Sequence, residues 1–68
     1  MNEEALNGSM RKFLKTVGVT SQREIEKAIR AAVDDGRLKG TETLPAQMVL
    51  TIDGVSLNFT IEGTIELA

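Results

Sequence analysis

The chain has 68 residues, 41% of them apolar, with no cysteine, no histidine and a formal charge of −2. A chain this short buries only roughly 60% of its unfolded surface, so one small core of modest stability is the most it can build. Without cysteine or histidine it has no disulfide, no thiolate metal site and none of the commonest catalytic bases and nucleophiles.

Asn2 stands as an N-cap ahead of Glu3 and Glu4, which the positive end of a helix dipole favours. Leu6, Met10, Phe13, Leu14 and Val17 then recur at helical spacing on one face. Gly18 supplies a left-handed C′ residue, with Val19 folding back on Leu14 in a Schellman-type cap. The first helix is therefore predicted over residues 3–17. Ser21 and Glu24 make a capping-box pattern, with Thr20 as the alternative cap. Ile25, Ala28, Ile29, Ala32 and Val33 continue an amphipathic pattern that stops at Gly36. This predicts a second helix over residues 21–35, antiparallel to the first.

A loop over residues 36–45 follows, and the apolar period changes to two. Met48, Leu50 and Ile52 alternate with Gln47, Val49 and Thr51; Val55, Leu57, Phe59, Ile61, Ile65 and Leu67 alternate with polar residues. Strands are predicted over 46–52 and 55–67, joined at Asp53-Gly54 by a two-residue type I′ turn. That turn sets Ile52 opposite Val55, Leu50 opposite Leu57, Met48 opposite Phe59 and Ala46 opposite Ile61. Every pair on this face is apolar, and a slip by one residue would turn the apolar set to water.

The second strand outruns the first, because Pro45 would stand opposite Glu62 and cannot donate to a ladder. Three arrangements suit Gly63, Thr64, Ile65, Glu66 and Leu67. Residues Leu38 to Thr43 form a short third strand, Gly63 bends the tail over the helices, or the tail forms a strand-edge interface with a second chain. The expected architecture is a single α+β domain over residues 1–68, in the order ααββ. Its helical hairpin packs on the apolar face of an antiparallel β-hairpin.

Catalysis has little to work with. Ser9, Ser21 and Ser56 have local explanations in a helix, a cap and the outer face of the ribbon. Asp34-Asp35-Gly36 lacks the alternating oxygen ligands and closing glutamate of a calcium loop. No glycine-rich phosphate loop occurs, and Asn7-Gly8-Ser9 matches a glycosylation acceptor without a secretory signal to accompany it. No enzyme activity, cofactor or metal is expected.

The basic residues offer more. All eight Lys and Arg lie between Arg11 and Lys39, and residues 5–23 hold Arg11, Lys12, Lys15 and Arg23 with no acid. Together with Lys27 and Arg30 they are a candidate anion or nucleic-acid surface, to which free amides near Thr20 and Ser21 would add. The opposing reading is a solvated face, since Glu26 precedes Arg30 at the favourable spacing for an ion pair and Asp34 follows one turn later. There is no tyrosine or tryptophan to stack on bases.

Residues 18–38, GVTSQREIEKAIRAAVDDGRL, resemble the turn and recognition helix of winged-helix regulators. Gly18, Val19, Gly36, Leu38 and the hairpin at Asp53-Gly54 carry that likeness. Here the turn is one residue longer, one helix is missing and the wing has no base. A closer resemblance covers nearly the whole chain. RKFLKTVGVTSQREIEKAI, GRLKG, TLPA and the terminal EGTIEL resemble a family of very short bacterial proteins that form a domain of unknown function. It implies a free-standing bacterial protein and assigns no active site. The expected function is thus a non-catalytic interaction or assembly module, soluble and cytoplasmic, with a protein partner or a homodimer. The alternative is a winged-helix-like nucleic-acid-binding protein. No membrane span is expected, because no apolar run approaches the roughly 20 residues required.

Overall fold

Leu6, Met10, Leu14, Val17, Ser21, Ile25, Ala28 and Ala32 recur every three or four residues, and the phase does not change at Gly18. One helix satisfies this pattern from end to end. In the computed structural model, which describes all 68 residues, α1 runs unbroken over Glu3–Asp34. The two helices expected at 3–17 and 21–35 are therefore a single element, and the order is αββ instead of ααββ. Gly18 is helical and absent from the positive-φ residues, so it ends nothing.

The energetics favour continuity. A glycine inside a helix costs about 1 kcal/mol relative to alanine. Ending one helix and starting another leaves four carbonyls and four amides without intrahelical partners. No proline forces the break. Ser21, expected as a cap, lies half-buried on the apolar stripe.

Both ends of α1 are closed by local chemistry. The Asn2 side-chain carbonyl accepts from the Ala5 amide at 3.0 Å, with Glu3 and Glu4 in the first turn. At the other end the Arg37 amide donates to the Ala32 carbonyl at 2.9 Å and the Gly36 amide to Val33 at 3.2 Å. Gly36 has φ +83°, so the Schellman motif expected at Gly18 is found one helix-half later.

The alternating segment forms an antiparallel hairpin of β1 (Thr43–Ile52) and β2 (Leu57–Glu66). The turn is not the two-residue Asp53-Gly54 type. Residues 53–56 all lie outside the ladder, with Gly54 at φ +91° and Ser56 at φ +54°. Ile52 consequently faces Leu57, Leu50 faces Phe59, Met48 faces Ile61 and Leu44 faces Ile65.

The register has moved by two residues from the expected one, which keeps every side chain on its face because strand periodicity is two. The shift has a physical gain. The expected register would set Glu42 opposite Ile65, whereas the observed one pairs Ile65 with Leu44. It also mates the tail: Gly63 faces Ala46, Thr64 faces Pro45, Glu66 faces Thr43, and the Leu67 amide donates to the Glu42 carbonyl at 2.9 Å. No third strand forms from residues 38–43, and Gly63 does not turn the chain aside.

The chain divides into two units, Met1–Arg37 and Leu38–Ala68. Ala32, 9% exposed, is the sole buried side chain, and Phe59 remains 57% exposed.

Candidate interaction surfaces

Continuity of α1 gathers its apolar residues into one stripe. Leu6, Val17 and Ala28 are related by steps of eleven, as are Met10, Ser21 and Ala32, and Leu14 and Ile25. Eleven residues make three turns at about 3.67 residues per turn, close to the relaxed helix, so the stripe runs almost parallel to the axis. From Leu6 to Val33 it extends about 40 Å at 1.5 Å per residue. Its N-terminal half is open: Phe13 is 53% and Leu14 60% exposed, while Val17, Ile25 and Ile29 are half-buried.

The hairpin has the same two-faced character. Leu44, Ala46, Met48, Leu50 and Ile52 share a face with Leu57, Phe59, Ile61 and Ile65. The opposite face carries Thr43, Gln47, Thr51, Asn58, Thr60, Glu62 and Thr64, with Val49 its one large apolar side chain. Met48, Phe59 and Ile61 on the apolar face are exposed.

All six candidate basic residues lie on α1 and are exposed. Only Lys27 has an ion-pair partner, Glu24 at 3.7 Å. The expected Glu26–Arg30 pair is not made; the Glu26 carboxylate instead accepts from the Gln22 side-chain Nε2 at 3.2 Å. On an unbroken helix Lys12, Arg23 and Arg30 fall along one line, Lys27 lies beside it, and Arg11 and Lys15 lie toward the border of the apolar stripe. The free amides anticipated near Thr20 and Ser21 do not exist as a site, because these residues are inside α1.

Gly63, Thr64, Ile65 and Glu66 are ordinary members of β2, paired along one side with β1. Their other edge is the outer edge of a two-stranded sheet.

Glu42, which the sequence reading passed over, organises the loop before β1. Its carboxylate accepts from the amides of Lys39 at 2.9 Å, Gly40 at 2.9 Å and Thr41 at 3.0 Å. The Lys39 amide contributes most to holding the Glu42 carboxyl below its ordinary pKa, against partial desolvation. Gly40, at φ +98°, bends the backbone so that consecutive amides converge. The signal in the sequence was a glycine followed two residues later by an acid. A similar local closure holds Asp35, whose carboxylate accepts from Arg37 Nε at 2.8 Å and from the Arg37 amide at 3.1 Å. These bonds lower its pKa, the side-chain bond foremost.

No three acidic side chains converge where a metal could sit, and no helix is long and apolar enough to cross a membrane. The chain is a small α+β protein of one helix and one hairpin, each amphipathic. Over residues 1–68 it matches the Family of unknown function (DUF6494), and it belongs to that family. Comparison with curated proteins and with solved structures yields no match. The likeness to winged-helix regulators fails on the structure, because the turn it requires lies in the middle of α1.

Proposed function

We propose that this protein is a non-catalytic protein-interaction or assembly module that acts by covering the apolar stripe of α1. The observation that supports this is the exposure of Phe13 and Leu14 on a 32-residue helix. Helices draw most of their stability from packing of an apolar face, and propensity alone leaves them marginal in water. An isolated two-stranded hairpin is marginal for the same reason.

Light scattering and far-ultraviolet circular dichroism from micromolar to millimolar concentration test the reading. The expected result is a mass above one chain, with helicity that rises as the mass rises. Phe13→Glu should lower both together. A chain that stays monomeric, fully helical and indifferent to Phe13→Glu would remove the proposal, since its stripe would then need no partner.

A second reading has one observation behind it: Lys12, Arg23 and Arg30 are aligned and free of ion pairs. Such a line suits the phosphates of a nucleic acid. It ranks below the first because no tyrosine or tryptophan accompanies it and the whole chain is acidic.

A further inference from the structure

The stripe of α1 is graded along its length. Its N-terminal half carries Leu6, Met10, Phe13, Leu14 and Val17, whereas alanines 28 and 32 thin its C-terminal half. Two parallel copies would press Phe13 against Phe13 and leave Ala32 facing Ala32. Packed helices hold an interaxial distance of about 8–10 Å and tolerate few voids, so such a pair would be crowded at one end and hollow at the other. Antiparallel copies crossing near residue 19 bring Leu6 to Ala32, Met10 to Ala28 and Phe13 to Ile25. In that arrangement large side chains meet smaller ones along the whole seam.

The charges select the same direction. Residues 5–23 hold Arg11, Lys12, Lys15 and Arg23 and no acid, while residues 24–35 hold Glu24, Glu26, Asp34 and Asp35 against only Lys27 and Arg30. A crossing near residue 19 sets Lys12 level with Glu26 of the other copy and Arg11 beside it, while Lys15 and Arg23 stand level with each other, so the complementary charge lies at Glu26; parallel pairing sets every charge level with its own kind. Arg11 and Lys15 also flank the stripe on the side that carries Gln22 and Glu26, so a reversed second copy presents Glu26 toward Arg11.

From the grading of side-chain size and the Arg11–Glu26 complementarity we infer that α1 pairs with α1 of a second copy of this chain, antiparallel, through the stripe from Leu6 to Val33. The inference rests on the interaction reading above and identifies the partner as self. The spacing by eleven makes the pair nearly straight with a slight right-handed coil, unlike the left-handed coil of heptad sequences.

The lack of native cysteine makes disulfide mapping unambiguous. Leu6→Cys and Ala32→Cys variants are each checked for helicity, mixed in equal amounts, oxidised and separated without reductant. The mixed disulfide should form well above its statistical share. A dominant Leu6→Cys self-disulfide, or a statistical mixture, overturns antiparallel pairing while the interaction reading stands if light scattering still shows association. A unmodified chain that is monomeric throughout defeats both. A charge test is independent of thiol placement. Glu26→Lys should weaken association about two- to five-fold at low salt, and adding Arg11→Glu should recover it. Failure of the double variant to recover counts against the antiparallel seam.

Discussion

The amide of Arg37 reaches back to the carbonyl of Ala32 at 2.9 Å across Gly36, and this bond defines where α1 ends. The two glycines that could have ended a helix therefore respond oppositely to alanine. A Cβ on Gly18 meets nothing within 4 Å and its φ is ordinary, so Gly18→Ala should raise thermal stability by about 1 kcal/mol. Gly36→Ala, at φ +83°, should lower it by about 1 kcal/mol or more. Thermal melts followed by circular dichroism decide this, and a destabilising Gly18→Ala would reinstate the turn between two helices.

Ser56 is the one residue other than glycine with positive φ, at +54°. A left-handed conformation costs a side-chain-bearing residue about 1–2 kcal/mol, less for asparagine and least for glycine. Ser56→Asn should stabilise the hairpin by a few tenths of a kcal/mol to about 1 kcal/mol, and Ser56→Val should destabilise it. If both leave the melting temperature unchanged, the turn is not residues 53–56 and the register would have to be revisited.

The Glu42 carboxylate holds the amides of Lys39, Gly40 and Thr41, and its pKa lies below the ordinary value. A group with a lowered folded pKa contributes stability above its unfolded pKa, and that contribution is lost as pH falls through the folded value. The loop should accordingly be fully held at neutral pH and loosen in acid, below the usual glutamate range. Carboxyl chemical shifts read the midpoint directly. Glu42→Gln should remove the acid-dependent step and speed hydrogen exchange of the same three amides at neutral pH.

Titration with duplex DNA at low salt addresses the basic line on α1. If it holds phosphate, amide signals around Lys12, Arg23 and Arg30 shift, and log K falls by about 0.9 per phosphate neutralised for each log unit of salt. Unmoved signals in this region at low salt would leave these side chains as a solvated face.

The hairpin shows what pattern can and cannot carry. Its two faces were legible residue by residue, because alternation has a period of two and any even shift preserves it. The register was not, because Asp53-Gly54 fits a two-residue turn locally while the wider loop at 53–56 pairs Leu44 with Ile65 and mates the whole tail. Local turn preference lost to ladder length.

The candidate surfaces divide in the same way. The apolar positions of α1 share a face at helical spacing, and the six basic residues of the same helix are exposed. Their alignment was hidden by reading Gly18 as a stop, although the unchanged phase from Val17 through Ser21 to Ile25 was the available sign of one helix. Residues 63–66 gained a partner strand once β1 began at Thr43, and keep only their outer side as a sheet edge. The Glu42 closure needed the positive φ of Gly40, which sequence alone does not specify.

By itself, then, the sequence determined the periods, and with them which side chains share a face on the helix and on the ribbon. It also determined the caps at Asn2 and Gly36, because each depends on neighbours within a few residues. The folded structure alone decided that α1 continues through Gly18 and that β1 meets β2 two residues out of the expected register. Those outcomes rest on hydrogen bonds and cross-strand pairs summed over a whole element, a total that outweighs any single glycine or turn dipeptide.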